Sequence, residues 1–262
     1  MHCREFLARA ARGIRSPALE LPARVLLVLL LCFPRGAAHA DEAGAKLPEP
    51  LSTDAYSRQE LRGWRLYVHP SLAAEHAETG QQVLALLDHQ LASIERRVPG
   101  AAVEKLRKIP IWIEYDEPHH PCMCYHPDAG WLREHQMNPD KQDGIEIANA
   151  RNFLSWTIDQ PWMVLHELAH GYHELFVDGG YANEPIAAAL ENARQRANYE
   201  EVRHVNGDRV KHYALTNPME YFAEGTEAYF GANDFYPFVR TELESHDPEL
   251  FKLLGEVWGM EN

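Results

Sequence analysis

The stretch Gln160-Pro161-Trp162-Met163-Val164-Leu165-His166-Glu167-Leu168-Ala169-His170-Gly171-Tyr172-His173-Glu174-Leu175-Phe176 decides the reading of this chain. Trp162, Leu165, Ala169, Tyr172 and Phe176 recur at steps of three and four, the period of an amphipathic helix, and Pro161 suits its first turn. His166, Glu167 and His170 fall off that stripe, on an adjacent face. Residues four apart on a helix lie on one side, so both imidazoles can reach one ion. Glu167, one residue on, can hold a water against that ion. On zinc such a water has a pKa near ~7 instead of ~16, and a carboxylate can take its proton. The pattern therefore predicts a zinc site with His166 and His170 as ligands and Glu167 as general base. The plain alternative is a solvated helix face, and the buried stripe beside the motif weighs against it.

Catalytic zinc takes three protein ligands and keeps one position open. A metzincin would place a histidine six residues after His170, where this chain has Phe176. His173 lies one turn on, but a helix does not readily bend three of its own side chains onto one ion. It is read as a supporting or cleft residue, and a carboxylate must complete the set. Glu184, in Ala182-Asn183-Glu184, resembles the N-E pair of thermolysin-like enzymes. It also suits a helix N-terminus, where the dipole favours a carboxylate. Glu220, Glu224 and Glu227 are spaced by four and three, on one face of a helix that starts at Pro218. Asn217, Pro218 and Glu220 equally form a capping arrangement that needs no metal. Like charges stacked this way repel by about a few tenths of a kcal/mol per pair, which a facing cation would offset. The residues alone leave Glu184, Glu220, Glu224 and Glu227 open.

Outward from these motifs, the pattern predicts strands at 64–69, 109–115 and 144–150, and helices at 73–98, 184–199 and 218–230. A further helix falls within 240–258, a hairpin turns at Asn206-Gly207, and 117–143 reads as an irregular loop. This is an α+β class with a small mixed sheet and helices before the metal helix and a mainly helical part after it, the plan of zincin-like metallopeptidases. In that plan the strand ahead of the metal helix, closing at Asn149-Ala150-Arg151-Asn152, is an edge that pairs with substrate backbone.

His166-Glu167-Leu168-Ala169-His170 followed by Glu220-Tyr221-Phe222-Ala223-Glu224 resembles the group that holds the catalytic domain of anthrax lethal factor and the clostridial Pro-Pro endopeptidases. The likeness covers roughly residues 160–231. It implies Glu220 as the third zinc ligand and Tyr213, seven residues earlier, as a donor to the oxyanion. Gly225-Thr226 and the Cys/His-rich loop depart from the group's pattern. With the resemblance, the expected function is a secreted zinc endopeptidase acting on peptide or protein substrates. An aminopeptidase of the same class and a non-catalytic zinc-binding module are the alternatives. Retention of Glu167 argues against the last.

Residues 1–40 read as a secretory signal: Arg4, Arg9, Arg12 and Arg15, an apolar run from Val25 to Phe33, and Ala38-His39-Ala40. Residues 41–60 read as a flexible lead-in and 61–262 as one catalytic domain. Six of the 25 basic and two of the 39 acidic residues lie in the signal, leaving a mature net charge of about −18. Such a surface repels nucleic acid and anionic membranes. A secreted or periplasmic location follows, with no membrane contact once the signal is gone. Cys122 and Cys124 remain, too few for a disulfide framework. In His119-His120-Pro121-Cys122-Met123-Cys124-Tyr125-His126 they could bind copper or a second zinc, form a strained disulfide, or sit in an ordinary loop.

Overall fold

The computed structural model describes residues 49–260, so the expected signal and the first part of the lead-in lie outside the described residues. The chain is mixed α+β. It opens with β1 (Ser57–Leu61) and β2 (Trp64–Val68), then α1 (Ala77–Arg97), α2 (Gly100–Leu106), β3 (Ile111–Ile113), β4 (Met123–Tyr125), α3 (Ala129–Glu134), β5 (Ile145–Ile147) and α4 (Ala150–Trp156). The second half holds α5 (Met163–Phe176), α6 (Glu184–Arg196), the two-residue strands β6 (Val202–Arg203) and β7 (Arg209–Val210), α7 (Pro218–Phe230), α8 (Arg240–His246) and α9 (Pro248–Trp258).

Five strands form one sheet in the order β1-β2-β3-β5-β4. The three inner strands run parallel and each edge strand is antiparallel to its neighbour. The register sorts the side chains into two faces. Leu66, Ile111, Ile145 and Tyr125 align across the sheet, as do Val68, Ile113, Ile147 and Met123, and all are buried in the core. Tyr67, Trp112, Glu146 and Cys124 align on the opposite face, where the Tyr67 and Trp112 rings stack at 4.0 Å.

Several expectations shift. Ser57–Leu61 is a strand, so the flexible lead-in ends well before residue 60. Its hairpin turns on Arg62 and Gly63, both at positive φ (52° and 83°), the twist a two-residue turn requires. The Arg62 side chain is held on α1 through Asp88 Oδ1 (2.8 Å) and Glu95 Oε2 (3.0 Å). The loop expected at 117–143 contains β4 and α3, the latter capped by Asp128, which accepts from Trp131 N–H. β5 is an inner strand and Asn149 caps α4, so the edge lies at β4 and not at 149–152. The last helical stretch is two helices, broken before Pro248, since a residue preceding proline disfavours helical backbone. Asp247 stands at the break; it caps α9 and accepts from Tyr221 Oη (2.5 Å) and Arg196 Nη2 (2.9 Å).

α5 runs through the middle of the molecule. One side packs on β4 and α1, the other on α7. Glycine sets the approach of α5 to β4 and that of α7 to α9. A Cβ at Gly171 would meet Ile109 Cδ1 at 2.7 Å and Tyr125 Cε2 at 2.9 Å, and one at Gly225 would meet Leu250 Cδ2 at 2.7 Å. Gly225-Thr226, the departure noted above, thus serves the α7–α9 contact: Thr226 Oγ1 accepts from Trp258 Nε1–H at 3.1 Å. Among the described residues no helix is long and apolar enough to cross a membrane.

Candidate metal centre

The motif helix begins at Met163, two residues after Pro161, and is buried from Met163 through His173. Burial extends to the motif face because α7 covers it. His166, Glu167, His170 and Glu220 keep only 3–5 % of their surface exposed.

α7 supplies the acids. Asn217 caps it by accepting from Glu220 N–H at 2.8 Å, with Pro218 at the first position. The capping reading and the site reading therefore hold together: the Glu220 backbone is capped while its side chain meets the histidines. Glu220 Oε2 lies 3.2 Å from His166 Nε2 and 3.5 Å from His170 Nε2, and the two Nε2 atoms are 3.1 Å apart. Burial alone would raise the Glu220 carboxyl, but the His170 and His166 imidazoles hold it well below the usual carboxylate range.

The other acids divide by which ring atom they approach. Glu227 Oε1 is 2.7 Å from His166 Nδ1, a hydrogen bond, and Glu224 Oε1 is 3.8 Å from the same nitrogen. Both approach His166 at Nδ1, whereas His166 Nε2, His170 Nε2 and Glu220 Oε2 converge with one another. Glu224 Oε2 accepts from Asn233 Nδ2 at 2.8 Å and lies 3.9 Å from His212 Nδ1. Glu184 is exposed at the start of α6, outside this cluster. His173 is fully buried between the rings of Tyr181 (5.1 Å) and Phe222 (4.9 Å), not in a cleft. Burial, aided by His170, pushes its pKa down to about 4, so the ring is neutral near pH 7.

Tyr213 opens a 3-10 turn (Tyr213–Leu215) capped by His212, where the sequence suggested the end of a strand. Its hydroxyl lies 3.4 Å from Glu220 Oε1. The sequence reading missed Tyr181, in the turn after α5. Burial and the charges of Glu174, Glu220 and Glu167 raise its hydroxyl pKa well above the ordinary value, so it stays protonated. It also counted Glu227 only as a possible ligand. The i, i+4, i+7 spacing did put the three acids on one face; their different distances from His166 follow from how α7 crosses α5.

Cys122 and Cys124 are buried thiols that form no disulfide. Cys122 Sγ contacts Met163 Sδ at 3.4 Å, while Cys124 Sγ lies 3.5 Å from His126 Nε2, so the disulfide alternative is not realised. The His166–His170–Glu220 grouping is one of three sets of His, Cys or acidic side chains, among the described residues, close enough to hold a metal ion. In comparisons with known proteins, no family model, curated protein or solved structure matches this chain.

Proposed function

We propose that this chain is a secreted, zinc-dependent endopeptidase with a zincin-like fold. The observation that carries the reading is the triangle of His166 Nε2, His170 Nε2 and Glu220 Oε2, with sides of 3.1, 3.2 and 3.5 Å. Ligands bonded to tetrahedral zinc at about 2.0–2.2 Å stand roughly 3.3–3.6 Å from one another, within a few tenths of an ångström of these sides. The three donors thus have the size of one face of a zinc coordination tetrahedron, and their chemistry, two imidazoles and a carboxylate, fits a catalytic site with an open position.

A zinc ion at these three residues supplies Lewis acidity and brings the pKa of a water towards ~7. The remaining work falls to side chains. Glu167 directly follows His166 and is not part of the triangle; its carboxylate takes a proton from the attacking water and delivers it to the leaving amine. The Tyr213 hydroxyl, beside Glu220, donates to the oxyanion that develops on the scissile carbonyl. Glu227 accepts from His166 Nδ1–H, which leaves the Nε2 lone pair for the metal.

The test is a degenerate peptide library incubated with zinc-loaded protein, read by mass spectrometry, with Glu167→Gln alongside. We expect internal cleavage by the wild type, loss of it on chelation, and a Glu167→Gln protein that keeps zinc but does not cleave. Cleavage by Glu167→Gln at the wild-type rate, or no cleavage by the zinc-loaded wild type, overturns the reading.

A further inference from the structure

The sheet face turned away from α5 carries a second group of metal-ligand side chains. Cys124 lies in edge strand β4, His126 follows one residue after that strand, and His120 stands three residues before it. Their ligand atoms lie within 4.8 Å of one another, and all three side chains are buried. In the register Cys124 faces Glu146 of β5, whose Oε2 is 2.6 Å from His126 Nε2 and 4.0 Å from Cys124 Sγ.

We propose that His120, Cys124 and His126, with Glu146 as a fourth donor, form a second, structural zinc site. Three observations converge on it. The Cys124 Sγ–His126 Nε2 distance is 3.5 Å. Bonds of about 2.3 Å to sulfur and 2.0–2.1 Å to nitrogen place those atoms roughly 3.5 Å apart on tetrahedral zinc. Second, the donor types are those of zinc, two imidazoles and a thiolate with a carboxylate. Third, the charge closes. Glu146 and Glu114 are both buried and share one cation, Lys141, whose Nζ contacts both and lies 2.8 Å from Glu114 Oε1. That leaves one negative charge, the Cys124 thiolate would add another, and a divalent ion cancels the two. Binding replaces one proton, that of the Cys124 thiol, which goes to solvent; the proton that His126 Nε2 donates to Glu146 Oε2 moves to Nδ1 and leaves the Nε2 lone pair for the ion.

Closed burial with no open position marks a structural role. The ion would tie the 119–126 segment to the second face of the sheet and so hold β4 in place, while Cys122 Sγ lies on α5 against Met163. The site is independent of the peptidase reading.

The probe is cobalt(II), which reports a cysteine ligand by a thiolate-to-cobalt charge-transfer band in the near ultraviolet. None of the proposed ligands of the first site is a thiol. We expect the purified chain to take up two cobalt ions and show the band. His166→Ala/His170→Ala should keep the band and lose one ion. Cys124→Ser should lose the band, and His120→Ala should weaken this uptake at least about tenfold. A saturated wild type without the band overturns the site, whatever the variants do. A band that survives Cys124→Ser also overturns it. Failure of the peptidase assay with the band intact would reject only the proposed function.

Discussion

Replacing Glu227 separates a role in holding His166 from a role in packing. Glu227 is fully buried and its Oε1 accepts from His166 Nδ1–H at 2.7 Å. With the proton held on Nδ1, Nε2 is left as the ligand atom, 3.2 Å from Glu220 Oε2. A hydrogen bond to a charged partner contributes about 1.5–3 kcal/mol, roughly 10- to 150-fold in an equilibrium constant. Outer partners of zinc-bound histidines are worth about 10–100-fold in affinity. In Glu227→Leu the bond is gone, the Nδ1–H is stranded and the proton is free to move to Nε2. Zinc affinity should fall about 100-fold. Glu227→Gln keeps an acceptor and loses the charge, so about tenfold is expected. Glu224→Gln, whose carboxylate stays 3.8 Å from the ring, serves as control and should change affinity less than either. The assay is competition against a chromophoric zinc chelator, paired with thermal melts of the metal-free proteins. The stranded donor costs about 1–3 kcal/mol, so the metal-free melting temperature of Glu227→Leu should itself fall, and the zinc affinity carries the decision. Wild-type zinc affinity in Glu227→Leu would refute the argument and make Glu227 a packing residue.

Glu220→Ala should release zinc from the first site far more readily than Glu224→Ala or Glu184→Ala, because only Glu220 meets both Nε2 atoms; equilibrium dialysis decides, and retention in Glu220→Ala moves the ligand elsewhere. Tyr213→Phe should keep fold and zinc and lower kcat about a hundredfold with little change in KM, as removal of one oxyanion donor does; unchanged turnover would leave Tyr213 a packing residue and turn attention to Tyr181. His173 is held neutral in the fold, its pKa lowered from 6.5 to about 4. Its contribution to stability is therefore complete above about pH 6.5 and is lost as pH falls through about 4, some 3 kcal/mol in all. Denaturant melts between pH 7 and 4 should show His173→Leu losing less stability than wild type over that window; parallel losses would remove His173 as the cause.

Sequence alone determined the parts whose physics is local. The i, i+4 spacing of His166 and His170 holds on any helix, and the apolar stripe beside it made that helix. Asn217-Pro218 fixed the start of α7 to the residue, and Asn206-Gly207 fixed a hairpin, because caps and tight turns depend on the few residues that form them. Short elements escaped. β4 is three residues long, too short to show an alternation, and is a strand because β5 lies beside it. β1 turns on Arg-Gly, without the Asn or Asp that would have marked it. The candidate site was legible as a set of residue types and not as an arrangement. Four acids competed for one ligand position, and spacing along a helix treats Glu220, Glu224 and Glu227 alike. Only the crossing of α7 over α5 puts Glu220 against the two Nε2 atoms and Glu227 against Nδ1, and leaves Glu184 outside. The same holds for Cys124, His126 and Glu146. Twenty residues separate the last two in the chain, and they meet because β4 returns antiparallel to β5 with its odd positions in the core, which turns its even positions to the other face. Contacts between distant segments are fixed by packing of the whole core, and no local pattern carries that information.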